Sequence, residues 1–161
     1  MVNRSTSAHD LKRSAVRIVV LHDDHLTAAR GTLVARNIAD DMGLGAAREM
    51  KMWNVDLLDS EFARSAAIDT SNADLLIVAL RSTTGFSMGL KLWLRRWLLQ
   101  TKHSSAALIA VFETSDASAV REGRAFIERS ARSSGKDFFS ESVDLGSSGG
   151  AAEPHEFLWV L

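Results

Sequence analysis

The amino-acid sequence predicts an α/β protein built as a three-layer α/β/α sandwich, with a five-stranded parallel sheet in the order 2-1-3-4-5. Three observations carry the prediction. Residues 16–21, 73–80 and 105–113 are almost wholly apolar and rich in β-branched side chains, as strands buried on both faces must be. Segments with helical spacing separate them, and a parallel return between neighbouring strands needs such a crossover. Two further strand-like runs, 50–58 and 136–145, carry Lys51, Asn54, Asp56, Asp137 and Glu141, which suits the two edges of the sheet.

Taken in order, "VRIVVL" is the first strand. Leu26, Ala29, Leu33, Val34, Ile38 and Met42 then recur three or four residues apart, and Gly43 supplies a helix stop. The alternating "MKMWNVDLL" reads as an edge strand over 50–58, and a short helix is expected over about 60–67. "ADLLIVAL" is the third strand. The Ser/Thr/Gly loop "RSTTGFS" leads into a helix over 88–101, and "SAALIAVFE" is the fourth strand. Val120, Phe126, Ile127 and Ala131 mark a helix over 118–134 that stops at Gly135, and "KDFFSESVDL" is the last strand.

A chain of 161 residues fits one domain with a real core, and 46% hydrophobic with 24% charged residues is an ordinary globular balance. The expected organisation is an N-terminal tail over 1–14, the domain over 15–145, and a linker with an apolar tail over 146–161. Nineteen basic and twenty acidic side chains leave a net charge of −1, which argues against nucleic acid as partner. The chain has no cysteine, so disulfides, thiolate metal sites and cysteine nucleophiles are excluded. The short apolar run near the start is neither a signal peptide nor a membrane span, and a cytoplasmic protein with no membrane partner is expected. Gly-x-Ser-x-Gly, Gly-x-x-x-x-Gly-Lys-Ser/Thr and Gly-x-Gly-x-x-Gly motifs do not occur.

In the 2-1-3-4-5 order the chain reverses direction between strands one and three. A ligand is therefore expected beyond their carboxyl ends, at 22–26 and 81–88. The first of these turns is His22-Asp23-Asp24-His25. Its carboxylates suit helix capping, and with both imidazoles and Glu113 or Asp116 they offer ligand chemistry to a divalent metal, although His-x-x-His in a turn is no established motif. No metal is expected. Arg81 leaves strand three beside this turn, and its guanidinium is the expected counter-ion for Asp23 and Asp24. The candidate pocket comprises His22, Asp23, Asp24, His25, Arg81 and Glu113. Ser82, Thr83, Thr84, Gly85, Phe86 and Ser87 form a second, hydroxyl-rich loop with free backbone N–H groups at a helix start, a cradle for a small or aromatic ligand.

Residues 74–97, "DLLIVALRSTTGFSMGLKLWLRRW", resemble flavodoxins and the flavin-dependent NAD(P)H:quinone oxidoreductases, with Leu90, Lys91 and Trp93 matching the family's Leu-Lys-x-Trp-like stretch. The resemblance implies a flavodoxin-like order of strands and, for FMN as cofactor, a loop at 82–87 with Phe86 facing the ring. The family wraps the FMN phosphate with a Ser/Thr/Gly loop after the first strand. That position holds Asp23 and Asp24, which repel a phosphate dianion. "HDD" at 22–24 and "GKDFF" at 135–139 resemble response-regulator receivers, whose acidic pair holds Mg²⁺. A receiver's phosphate-accepting aspartate would end strand three, where Arg81 stands. Its lysine after strand five is replaced by Ser140, Glu141 and Ser142.

The helix over 88–101 is apolar around most of its circumference, with Lys91, Arg95, Arg96 and Gln100 as a narrow polar stripe. "GSSGGAAEPHEFLWVL" begins as a Gly/Ser linker and continues into five apolar residues, 157–161, whose expected destination is the chain's own domain, with a partner subunit or another protein as alternatives. The expected function is a non-catalytic regulatory or protein-binding domain without cofactor, homodimeric through the 88–101 helix or the C-terminal tail. The alternative is an FMN-dependent NAD(P)H oxidoreductase with an atypical phosphate loop.

Overall fold

A computed structural model describes residues 15–45, 48–81, 87–100, 106–113 and 116–143. The predicted tail over 1–14, the loop residues Ser82 to Phe86 and the linker with its apolar tail lie outside the described residues. Five strands form one sheet in the order β2-β1-β3-β4-β5, with every neighbouring pair parallel. The elements run β1 (Val16–His22), α1 (His25–Asp41), β2 (Arg48–Asn54), a 3-10 turn (Val55–Asp59), α2 (Ala63–Ser71), β3 (Leu75–Leu80), α3 (Met88–Gln100), β4 (Ala107–Glu113), α4 (Ala117–Ser133) and β5 (Asp137–Val143). Charge decides the order: β2 and β5, the two polar strands, are the edges, and the apolar β1, β3 and β4 fill the middle.

Alternation along each strand divides the core into two layers. Val19, Leu21, Leu76, Val78, Leu80, Leu108, Ala110 and Phe112 face one side and pack against α2, α3 and α4 through Ala66, Leu90, Leu94, Trp97, Leu98, Ile127 and Ala131. Ile18, Val20, Leu75, Ile77, Ala79, Ile109 and Val111 face the other side, where Val34, Ala35, Ile38 and Ala39 of α1 cover them. On the first side, Trp97 Nε1 donates a buried 2.7 Å hydrogen bond to the Thr70 carbonyl and so joins α3 to the end of α2.

Two predicted elements shift. The second strand, expected over 50–58, ends at Asn54, whose side chain accepts the Asp56 N–H at 2.8 Å and turns the chain into the 3-10 segment. The following helix, expected over about 60–67, begins at Ala63 and runs to Ser71. Ser60 holds the intervening turn by donating to the Leu57 carbonyl at 2.7 Å and accepting from Phe62 N at 3.1 Å. Alternating apolar residues continue through this stretch, but local side-chain bonds to the backbone end the strand first.

Gly31 sets how closely α1 approaches the sheet. A Cβ there would lie 2.6 Å from Val20 Cγ1 and 3.2 Å from the Ala79 Cβ, so the contact exists because the residue has no side chain. On helix propensity alone, Gly31→Ala would stabilise by about 0.5–1 kcal/mol. Overpacking against two central strands dominates, and the substitution is expected to cost about 1–3 kcal/mol, read as a lower urea midpoint. An unchanged or raised midpoint would show that α1 can shift without loss.

Candidate functional site

The site is assembled by the parallel pairing of β1 with β3, which places Leu21 beside Val78 and His22 beside Ala79. The residues just past these strand ends must therefore meet, and the structure brings Asp23, Asp24 and Arg81 together. One oxygen of Asp23, Oδ2, accepts the Arg81 main-chain N–H at 2.8 Å, and the other, Oδ1, accepts from Thr27 Oγ1 at 2.8 Å. Asp24 is the N-cap of α1: its Oδ1 accepts the Leu26 and Thr27 N–H groups, each at 2.8 Å. In return Asp24 N donates to Thr27 Oγ1 at 3.1 Å, which closes a reciprocal capping box.

The expected counter-ion role of Arg81 is realised through two different groups. Its backbone N–H serves Asp23, and its side-chain Nε lies 3.3 Å from Asp24 Oδ2. That Nε is buried and makes no hydrogen bond, so the contact with Asp24 is charge attraction without an N–H aimed at the carboxylate. With side-chain exposures of 34% and 30%, the pair contributes on the order of 1 kcal/mol or less. The pKa of the Asp24 carboxyl is held below its ordinary value, first by the Thr27 N–H; burial opposes this, and the Arg81 charge reinforces the lowering.

The remaining sequence candidates sit around this centre. His22 Nδ1 lies 3.1 Å from the Asp24 carbonyl, and His25 is exposed at the start of α1. Ser87 opens α3 by accepting the Leu90 N–H on Oγ at 3.1 Å and the Lys91 N–H on its carbonyl at 3.0 Å. Glu113 ends β4, one residue past the pairing of Leu80 with Phe112, and its Oε2 is buried without a hydrogen-bond partner. Ser82, Thr83, Thr84, Gly85 and Phe86 lie outside the described residues. Among the described residues, no three His, Asp or Glu side chains converge as a metal-binding set.

Sequence reasoning missed two participants. Thr27 is fully buried and links both carboxylates of the turn; its only sequence signal is the Asp-x-x-Thr spacing of a capping box. Asp59, from the 3-10 turn, puts Oδ2 only 2.5 Å from where a Gly89 Cβ would stand, so a carboxylate lies against the first turn of α3. Both helix starts facing the site are thus supplied with protein carboxylates. An FMN phosphate at the start of α1 would need the Leu26 and Thr27 N–H groups that Asp24 already holds, and would lie against two negative charges. The turn does not fit that group.

Because the folded-state pKa of Asp24 lies below its ordinary value of 3.8, its contribution is complete above that pH and is lost as pH falls through the folded-state value. Asp24→Ala is expected to cost about 1 kcal/mol near neutral pH, the usual worth of an N-cap. Asp24→Asn keeps the cap without the charge, so below pH 4 its unfolding midpoint is expected to fall less steeply than that of the wild type. Parallel acid profiles for the two proteins would remove the carboxylate from this role.

No family model matches the sequence, and neither does any curated protein. Comparison with solved structures is informative about the fold. A flavodoxin of Streptococcus pneumonia TIGR4 superposes with a TM-score of 0.53 at 15% identity, over 83% of this chain and 88% of that one. The Flv1 flavodiiron core of Synechocystis sp. PCC6803 superposes with a TM-score of 0.52 at 13% identity, over 82% of this chain but 32% of that longer one. Together with the strand order, these matches show that the chain has the flavodoxin-like fold.

Proposed function

We propose that the chain is a non-catalytic, flavodoxin-like regulatory or protein-binding domain whose binding surface is formed by the turns after β1 and β3. One observation carries the reading: the N–H groups at the start of α1 are held by Asp24, and the neighbouring Asp23 is held by Arg81 and Thr27. Neither a phosphate nor a phosphoryl acceptor has a place in that arrangement. Arg81 also occupies the position at which a receiver carries its acceptor aspartate. In this reading self-association uses Met88 and Leu92, which stand one turn apart on α3 and are 68% and 58% exposed.

The alternative is an FMN-dependent NAD(P)H oxidoreductase with an atypical phosphate loop. It is favoured by the fold neighbours, one of which is a flavodoxin, and by the Arg81 Nε and Glu113 Oε2 at adjacent strand ends, which make no hydrogen bond within the protein.

Titration of the purified protein with FMN and with riboflavin, read by quenching of flavin fluorescence, separates the two. The regulatory reading predicts no saturable binding of either flavin at micromolar concentration. Saturable FMN binding would overturn it, and equal affinity for riboflavin would show that the phosphate adds nothing to the binding. In the same preparation, Leu92→Asp is expected to abolish any dimer seen by sedimentation; a dimer that survives it does not use this face of α3.

A further inference from the structure

The exposed face of α3 carries opposite charges at its two ends. Met88, Leu92 and Leu99 form an apolar row along it, 68%, 58% and 83% exposed. At the first turn of α3 the Asp59 carboxylate lies against Gly89, and the 3-10 turn that supplies it also exposes Asp56, with Glu61 exposed just beyond. Past the centre of the helix stand Arg95 and Arg96, both exposed, and α3 itself contains no carboxylate. Among the described residues, none of Asp56, Asp59, Glu61, Arg95 and Arg96 belongs to an ion pair, whereas Lys91 on the same helix is bridged to Glu122 at 3.8 Å. Gly89 and Arg96 are two turns apart, about 10 Å along the axis, and so lie on the same side of the apolar row. Asp59 and Arg96 therefore mark the two ends of one edge of this face, with Leu92 midway between them.

We propose that this face pairs with the same face of a second copy, α3 against α3 and antiparallel, about a twofold axis at Leu92. The inference rests on the self-association through α3 stated above and adds its geometry. An axis that crosses the helix at Leu92 reverses its ends and keeps its sides, so Asp59 of each copy meets Arg96 of the other, and the contact is made twice. Leu92 then packs on its own counterpart, and Met88 lies against the aliphatic stem of the opposing Arg96. A parallel arrangement would bring carboxylate onto carboxylate and cation onto cation, and would align the two helix dipoles as well. A face that is acidic at one end and basic at the other matches a uniformly charged partner over half its length, whereas a reversed copy of itself matches it throughout.

Sedimentation of the full chain and its charge variants tests the pairing. Asp59→Lys and Arg96→Glu, each alone, set like charges against one another at both contacts and are expected to weaken the dimer at least about tenfold. The chain that carries both substitutions exchanges the charges and is expected to return to within about threefold of the wild-type affinity. An equimolar mixture of the two single variants is expected to associate as a heterodimer although neither associates alone, because both contacts are then between opposite charges. Should Asp59→Lys fold poorly, Asp59→Asn and Arg96→Gln take their places in a double-mutant cycle, in which the double variant is expected to lose no more than either single one. Losses that add in the double variant, or a mixture that stays monomeric while Leu92→Asp still abolishes the wild-type dimer, would overturn the antiparallel pairing and leave association through α3 standing. A wild-type chain that is monomeric at about 100 μM would overturn the association and this pairing together.

Discussion

Everything at the carboxyl edge of the sheet depends on one constraint: β1 and β3 are hydrogen-bonded neighbours, so the turn after one must settle its charges with the residue after the other. Asp23 and Asp24 follow β1, and close carboxylates at a strand end are unfavourable unless donors meet them. The fold supplies donors from three sources: the first N–H groups of α1, the Thr27 hydroxyl and the Arg81 main chain. The Arg81 side chain then lies close enough to Asp24 to offset its charge. The turn is electrostatically self-sufficient, and this sets it apart from a turn that waits for an anion.

This self-sufficiency bears directly on function. A helix N-terminus attracts phosphate because its N–H groups are free and its dipole is uncompensated. Here a side chain of the same charge as phosphate holds those groups at the start of α1, and the Asp59 carboxylate lies beside Gly89 in the first turn of α3. The flavodoxin-like architecture is retained, while the first N–H groups of α1 are held by the protein's own Asp24. Arg81 Nε and Glu113 Oε2 are buried there without a hydrogen bond.

Much of the fold was legible in the sequence because charge and apolarity divide its strands so sharply. Lys51 and Asn54 could not be placed in the middle of a sheet, nor "LLIVAL" at its edge, and the strand order followed. Once that order was fixed, the meeting of Arg81 with the acidic turn followed too, although the division between its backbone and side chain did not. Thr27 does not stand out in the sequence, because a buried hydroxyl shows its role only through the capping geometry around it. The end of β2 was misplaced for a related reason. Hydrophobic alternation continues past Asn54, and the bond from Asp56 N to the Asn54 side chain overrides it.

The central claim is that the N-terminus of α1 is closed to anions by its own cap. Amide NMR of the Leu26 and Thr27 N–H groups during titration with inorganic phosphate at neutral pH tests it most directly. The account predicts that both resonances stay in place in the wild type, and that they begin to move only when Asp23 and Asp24 are replaced together by serine. Saturating shifts of these two amides in the unmodified protein would contradict it.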